Sequence, residues 1–439
     1  MAAQLSHNQN GQTRERAFLF GLVPHGDSRP VDVALRELAA LVDALGFCVV
    51  GGLVQHRRSS DPNYHMGRGK LAEILERAEA AQATVVVCDQ PLSPSQGRNI
   101  EERLQIPTID RSELILRIFD THARTPQAKL QVELARLQYQ LPRLKRLWTH
   151  LERQRGGIGL RGGMGEKQIN VDRSALRTRI ARAQRKLRNI ENQRSLVTTD
   201  RRDQFTIALV GYTNAGKSTL MNQLTAAGVL VEDQLFSTLD TRTKPWRLPG
   251  GRTVLLSDTV GFIHDLPHQL VASFHATLEE ALHADLLLVV VDSSDPEATD
   301  QIHTVEEVLG HLGAAHIPRL YALNKIDLLA NGRQSDDRSQ LAPLFMHAPK
   351  AITIAASTGE GMSELTAAVQ QHLKSCEETV EILVPHHKGA LRSEIRQMAS
   401  VLDERHVEAG SIVQMVVSQR VLGRLLAKGA QRLTDAQPS

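Results

Sequence analysis

With 439 residues the chain is too long for one ordinary core, and a prior of roughly 150 residues per domain suggests about three domains. A composition of 41% hydrophobic and 23% charged residues excludes a wholly disordered or fibrous chain, and 3% aromatics argue against a stacking platform for single-stranded nucleic acid. The net charge is only +3, yet residues 143–188 hold fourteen Lys or Arg against three acids, a net +11 that leaves −8 for the rest. A basic segment on an acidic body is the footprint of a polyanion binder, the plainer alternative being a solvated helical face.

Residues 1–16, MAAQLSHNQNGQTRER, lack the apolar stretch of a signal peptide and read as a flexible N-terminus. The longest aliphatic strand-like run, Leu286–Val291, is far short of the roughly 20 residues that span a bilayer. Cys48, Cys88 and Cys376 are scattered and odd in number, so the expectation is a cytoplasmic setting with no membrane partner. Over residues 17–125, apolar β-rich runs such as AFLFGLV, FCVVGGLV and ATVVVC alternate with helix-period stretches, which predicts an α/β domain around a parallel sheet. The loop HMGRGK at 65–70 is glycine-rich and basic; it reads as a phosphate loop or, lacking Walker spacing, as a plain turn.

Residues 126–191 change period. Leu130, Leu134, Leu137, Leu141, Leu144 and Leu151 follow a/d spacing, as do Leu176, Ile180, Ala183, Leu187 and Ile190 after a break. Pro142 should kink or divide the first run. Gly156–Gly165 contains six glycines in ten residues, so the economical fold is an antiparallel helical hairpin with a basic, glycine-rich tip, with an intermolecular coiled coil as the alternative. Arg153, Arg155 and Arg161, with Gly156, Gly157, Gly162 and Gly163, are the expected RNA contacts of that tip. A polar linker at 192–202 precedes a second α/β domain at 203–375, expected to hold a mostly parallel, doubly wound sheet. A small α/β unit follows at 376–430, with a strand near Val380–Val384, a helix through about Arg405 and a strand near Ile412–Val417; residues 431–439 read as a flexible tail.

The strand-like run Phe205–Val210 leads into Gly211, Tyr212, Thr213, Asn214, Ala215, Gly216, Lys217 and Ser218, the G-x-x-x-x-G-K-[ST] pattern in a strand-loop-helix context. Glycines let the backbone wrap phosphates, Lys217 offers a point charge to the β and γ phosphates, and the Ser218 hydroxyl is a Mg²⁺ ligand. About forty residues on, a strand ends in Asp258, Thr259, Val260 and Gly261. Asp258 is placed to hold Mg²⁺ through water and the Gly261 amide to reach the γ phosphate. Asn324, Lys325, Ile326 and Asp327 complete the set: a carboxylate that accepts from N1 and N2 of guanine finds no such pair on adenine. Together these motifs predict GTP as the substrate.

With GRGK, GGIGLRG, GEKQINVDR, GYTNAGKST, FSTLD, DTVGF and NKID in order, the chain resembles the HflX-type GTPases of the translation-factor class over nearly its whole length. The resemblance implies a hairpin-bearing N-terminal region packed beside a P-loop GTPase domain, and a monomer that binds the large ribosomal subunit and its rRNA. The implied role is splitting or rescuing ribosomes under stress. It makes Phe236, Ser237, Thr238, Leu239 and Asp240 the first switch, with Thr238 closing on Mg²⁺ and the γ phosphate, and Thr219 part of the phosphate loop. It sets Ala355, Ala356 and Ser357 against the guanine, the Ala356 amide meeting O6. Asn214 resembles the asparagine of potassium-stimulated GTPases, and either helps hold K⁺ or only stabilises the loop. Phe262 stands where Ras-like enzymes have the water-orienting glutamine, so unassisted hydrolysis should be slow and ribosomes should raise it. Lys217, Thr238 and Gly261 are thus the expected catalytic residues. This chain has Ala355 where the family usually has Ser, and GGMG at 162–165 where GPG is common. The rival readings are an ATP- or GTP-driven RNA remodeller and a GTP-sensing adaptor. His264, His268, His386 and His387 form no metal-binding pattern, and Cys48 and Cys88 read as small core residues.

Overall fold

A computed structural model describes residues 14–23, 30–144, 163–197, 204–225, 236, 242–264, 282–330 and 337–433. The first sheet is parallel, ordered β2-β1-β3-β4, from β1 (Arg16–Val23), β2 (Cys48–His56), β3 (Val85–Cys88) and β4 (Thr108–Asp110). Every residue of β3 is buried, as a strand covered on both faces by crossover helices requires. Cys88 belongs to this core, whereas Cys48 is only half-buried, so the core reading holds for one cysteine of the two.

The two heptad runs pack on each other within the chain. The helix Pro126–Gln140, capped by the Thr125 hydroxyl, brings Leu130 and Leu134 against Ile180, Ala183 and Leu187 of the helix Gly163–Val197. Pro142 divides the first run: the α-helix ends at Gln140 and a 3₁₀ turn covers Leu141–Arg143. The second helix starts at Gly163, inside the stretch expected to be loop, because a helix 35 residues long absorbs the roughly 1 kcal/mol each glycine costs. Arg153, Arg155, Arg161, Gly156, Gly157 and Gly162 lie outside the described residues. Arg143, the first cation of the basic segment, is an anchor at the hairpin root: it lies 3.7 Å over the Tyr139 ring and pairs with Asp110 at 3.2 Å. Asp110 also accepts from the Tyr139 hydroxyl (2.9 Å) and from the amides of Leu92 and Glu113. Four donors on one buried carboxylate fix the hairpin to the end of β4.

The second sheet, ordered β10-β9-β8-β5-β7-β6, comprises β5 (Thr206–Gly211), β6 (Arg242–Arg247), β7 (Thr253–Asp258), β8 (Leu286–Asp292), β9 (Arg319–Asn324) and β10 (Ile352–Thr353). All its pairings are parallel except β6 with β7. The C-terminal unit differs from the simple strand-helix-strand expected. The helix Gly389–Met398 stops well before Arg405, and Ser400–Val407 is a strand, β12, paired antiparallel to β13 (Gly410–Ser418). With β11 (Glu377–Pro385), the helix Gln419–Ala427 and β14 (Gln431–Leu433) the order is β-α-β-β-α-β, a split β-α-β arrangement. Pairing with β13 overrides the helical preference of the charged run at 403–405. Only glycine fits the hairpin at 410, where a Cβ would stand 2.2 Å from the Val384 carbonyl oxygen.

The cores of the first two sheets are continuous. The helix Arg111–His122 buries Leu114, Ile115, Ile118 and Phe119 in one apolar cluster with Val210, Tyr212, Val260, Phe262 and Ile263 of the second domain. Phe119 meets Phe236 edge to face, ring centroids 4.6 Å apart.

Candidate nucleotide site

The loop after β5 turns tightly because Gly216 adopts φ +92°, and a Cβ there would sit 2.2 Å from Asn324 Nδ2. Asn214 holds a left-handed φ of 59°, which asparagine tolerates, and its side chain is exposed. The helix Lys217–Thr225 then begins, so its first amides face the loop. Lys217 is buried and donates to the carbonyls of Gly211 (3.1 Å) and Tyr212 (2.7 Å). Burial pushes its ammonium down to about 8, against the opposing pull of Asp258.

Ser218 Oγ donates to Asp258 Oδ2 at 2.7 Å, so hydroxyl and carboxylate share one point beside Lys217. Thr259 fixes the strand end by donating to the Leu209 carbonyl at 2.7 Å. Gly261 lies flat on the phosphate loop; a Cβ would come within 2.9 Å of Thr213 Cα and 3.0 Å of Lys217 Nζ. Phe262 and the loop exchange backbone bonds, Thr213 N to Phe262 O (2.8 Å) and Phe262 N to Gly211 O (3.1 Å). Its ring points into the core, 1% exposed, away from the loop.

At the far side, Asn324 Nδ2 donates to the Ala215 carbonyl at 2.8 Å, and Asn324 Oδ1 accepts from the Ala356 amide at 3.0 Å. One buried side chain thus ties the phosphate loop to the segment 355–357. Asp327 Oδ2 accepts from Ser357 Oγ at 2.9 Å, and Lys325, at φ 64°, pairs with Asp292 at 2.8 Å. The Ala356 amide, expected to meet guanine O6, is directed at Asn324, so that contact competes with an internal bond. A loop of amides with a buried lysine, an adjoining hydroxyl–carboxylate pair and a braced Asn/Asp motif at strand ends is suited to a guanine nucleotide.

Three family profiles match the chain: a GTP-binding GTPase N-terminal region over residues 32–120, a GTP-binding GTPase middle region over 122–201, and a 50S ribosome-binding GTPase over 206–325. A GTPase HflX of Magnetococcus marinus is 42% identical over 94% of this chain and 95% of its own, and that of Escherichia coli 41% over 91% and 93%. The chain belongs to the HflX GTPase family. A crystal structure of a GTP-binding protein from the archaeon Sulfolobus solfataricus with GDP is also similar, at 26% identity and TM-score 0.42, covering 81% of this chain and 98% of that one.

As an HflX GTPase the chain binds and hydrolyses GTP. Its N-terminal domain grips the phosphate loop directly, a contact no motif announces. The Tyr212 hydroxyl donates to Glu37 and accepts from the His264 amide at 2.9 Å. Arg111, buried, pairs with Glu37 and with Asp89 (2.8 Å) and donates to the His264 carbonyl (3.3 Å). Burial and the Glu37 charge both raise the Tyr212 hydroxyl. Burial works against the Arg111 charge, but Glu37 and Asp89 outweigh it and raise its pKa.

Of the first switch only Phe236 is described, buried against Phe119 at a left-handed φ of 60°; Ser237, Thr238, Leu239 and Asp240 lie outside the described residues. The HMGRGK segment is a loop only over His65–Gly67: Gly67, whose amide donates to Gln55 Oε1 (2.9 Å), is the N-cap of the helix Arg68–Ala80, and Lys70 pairs with Glu73 (2.8 Å) inside that helix, so the turn expected over 65–70 ends where the helix begins. His264 bonds Thr304 (2.9 Å) and His386 the Val407 carbonyl (3.1 Å), while His268 is not described.

Proposed function

We propose that this HflX GTPase is Mg²⁺-dependent, docks in its GTP-bound form on the large ribosomal subunit, and splits or rescues ribosomes under stress, acting as a cytoplasmic monomer. In this reading Lys217 lies on the β and γ phosphates and the Gly261 amide reaches the γ phosphate. Ser218 and, through water, Asp258 hold Mg²⁺, joined by Thr238. Their oxygens suit a hard cation that takes one or two protein ligands and fills its other positions with phosphate and water. Mg²⁺ would neutralise charge on the transferred phosphoryl group. Asp327, braced by Ser357, accepts from guanine N1 and N2, and Asn214 is the site for a K⁺ effect. The basic hairpin reaches rRNA.

The observation that carries this is mechanical continuity from the phosphate loop to the hairpin. Tyr212 bonds Glu37, which pairs with Arg111 at the start of the helix Arg111–His122, Phe236 packs on Phe119 of that helix, and Asp110, which caps it, also grips Tyr139 and Arg143 at the hairpin root. A change at the γ phosphate therefore has a packed route to the root of the hairpin. Phe262 lies in the core, so its side chain does not orient water, and in this reading the ribosomal partner supplies that help. The test is GTP turnover by the full chain with and without purified large subunits. Stimulation by orders of magnitude is expected, and a turnover indifferent to subunits would refute it.

A further inference from the structure

We infer that His303, Glu306 and His347 form a binding site for a late first-row divalent cation, with zinc the best match. His303 and Glu306 stand one turn apart on the helix Ala298–His311, and His347 closes the helix Asp337–His347. One donor atom from each lies within 4.8 Å of the other two. His347 Nε2 and Glu306 Oε2 are already 3.1 Å apart. Ligands bound tetrahedrally at zinc's usual distances stand about 3.3 Å from one another, so this pair is at a coordination edge before any ion arrives. His303 is exposed and has the freedom to close the remaining gap of at most about 1.5 Å.

The surroundings favour a ligand set over a lone ion pair. Tyr321 donates to Glu306 Oε1, and Arg319 lies 3.8 Å from the same oxygen, which leaves Oε2 for the cation. Holding the second oxygen of a carboxylate in this way is how outer groups orient a metal ligand. Burial works against the charge of Glu306, but the hydrogen bonds from Tyr321 and His347 outweigh it and hold the carboxyl below its ordinary range. The rings of His303 and His347 meet edge-on at 4.7 Å. Two protonated imidazoles so close would repel, whereas two neutral ones and a carboxylate match the nitrogen and oxygen donors zinc prefers. Ligation needs the lone pair of His347 Nε2, so the neutral ring binds the ion as its Nδ1–H tautomer.

The test uses the full chain loaded with Mg²⁺ and GDP, titrated with Zn²⁺ against a chromophoric chelator, and with Co²⁺ read by visible absorption. One equivalent of Zn²⁺ is expected beyond any bound by a His303→Ala, His347→Gln variant. In that variant Gln can still donate to Glu306, and the zinc-free melting temperature reports whether the fold is kept. Tyr321→Phe should weaken zinc by roughly 10-fold. Bound Co²⁺ should give the intense bands of a four-coordinate site in the parent and not in the double variant. Zinc uptake equal in parent and double variant, or none by the parent, overturns the assignment.

Discussion

Raising the pH should weaken nucleotide binding through Lys217, whose buried ammonium sits at about 8 in the ligand-free protein. Phosphate oxygens beside it favour the charged form, so the bound pKa lies well above 8 and binding takes up a proton. The resulting loss of affinity is a factor of about 4 at pH 8.5 and about 11 at pH 9, and uptake at pH 8.5 is about 0.75 proton. The sign for folding runs the other way. The unfolded chain holds this proton to about 10.5 and the folded chain to about 8, so ligand-free stability rises with pH between those values, by at most about 3 kcal/mol. Calorimetric titration with GDP at pH 8.5, in buffers of different ionisation heat, reads the proton directly. An uptake near zero would show that Lys217 stays charged without nucleotide, and the burial argument would fail.

Asp327→Asn should trade guanine for xanthine, since an amide can donate to the xanthine carbonyl; equal GTP binding by parent and variant in competition would remove Asp327 from the base pocket. Tyr212→Phe removes a bond to the Glu37 carboxylate and one from the His264 amide, a loss of about 2–4 kcal/mol. A double-mutant cycle with Glu37→Gln, read by urea unfolding, should give coupling above about 1 kcal/mol, and additive losses would deny the contact between the domains. Phe262→Gln should not speed hydrolysis but cost about 3–5 kcal/mol, because it removes a core ring and buries an amide; a faster and equally stable variant would place residue 262 at the phosphates.

What the sequence made legible follows from how each feature is encoded. The parallel sheets show as apolar runs such as Leu286–Val291, and the phosphate loop shows because wrapping phosphates demands glycine at fixed spacing. The strand at 400–407 was hidden because its charged centre carries no β pattern and its partner, β13, lies beyond a turn. The grip of Glu37 and Arg111 on Tyr212 joins residues 175 and 101 positions apart, which periodicity cannot reveal. His303 and Glu306 did carry a signal, an i, i+3 pair on one helix face, but the third member, His347, is supplied by the fold alone.

Sedimentation of the full chain with separated ribosomal subunits, in a non-hydrolysable GTP analogue and in GDP, tests the central claim most directly. The account predicts binding to the large subunit with the analogue, little with GDP, and loss of subunit splitting when Gly156–Gly165 is replaced by a short linker while GTP binding survives. Binding indifferent to the nucleotide, or full splitting by the tip-replaced protein, would contradict it.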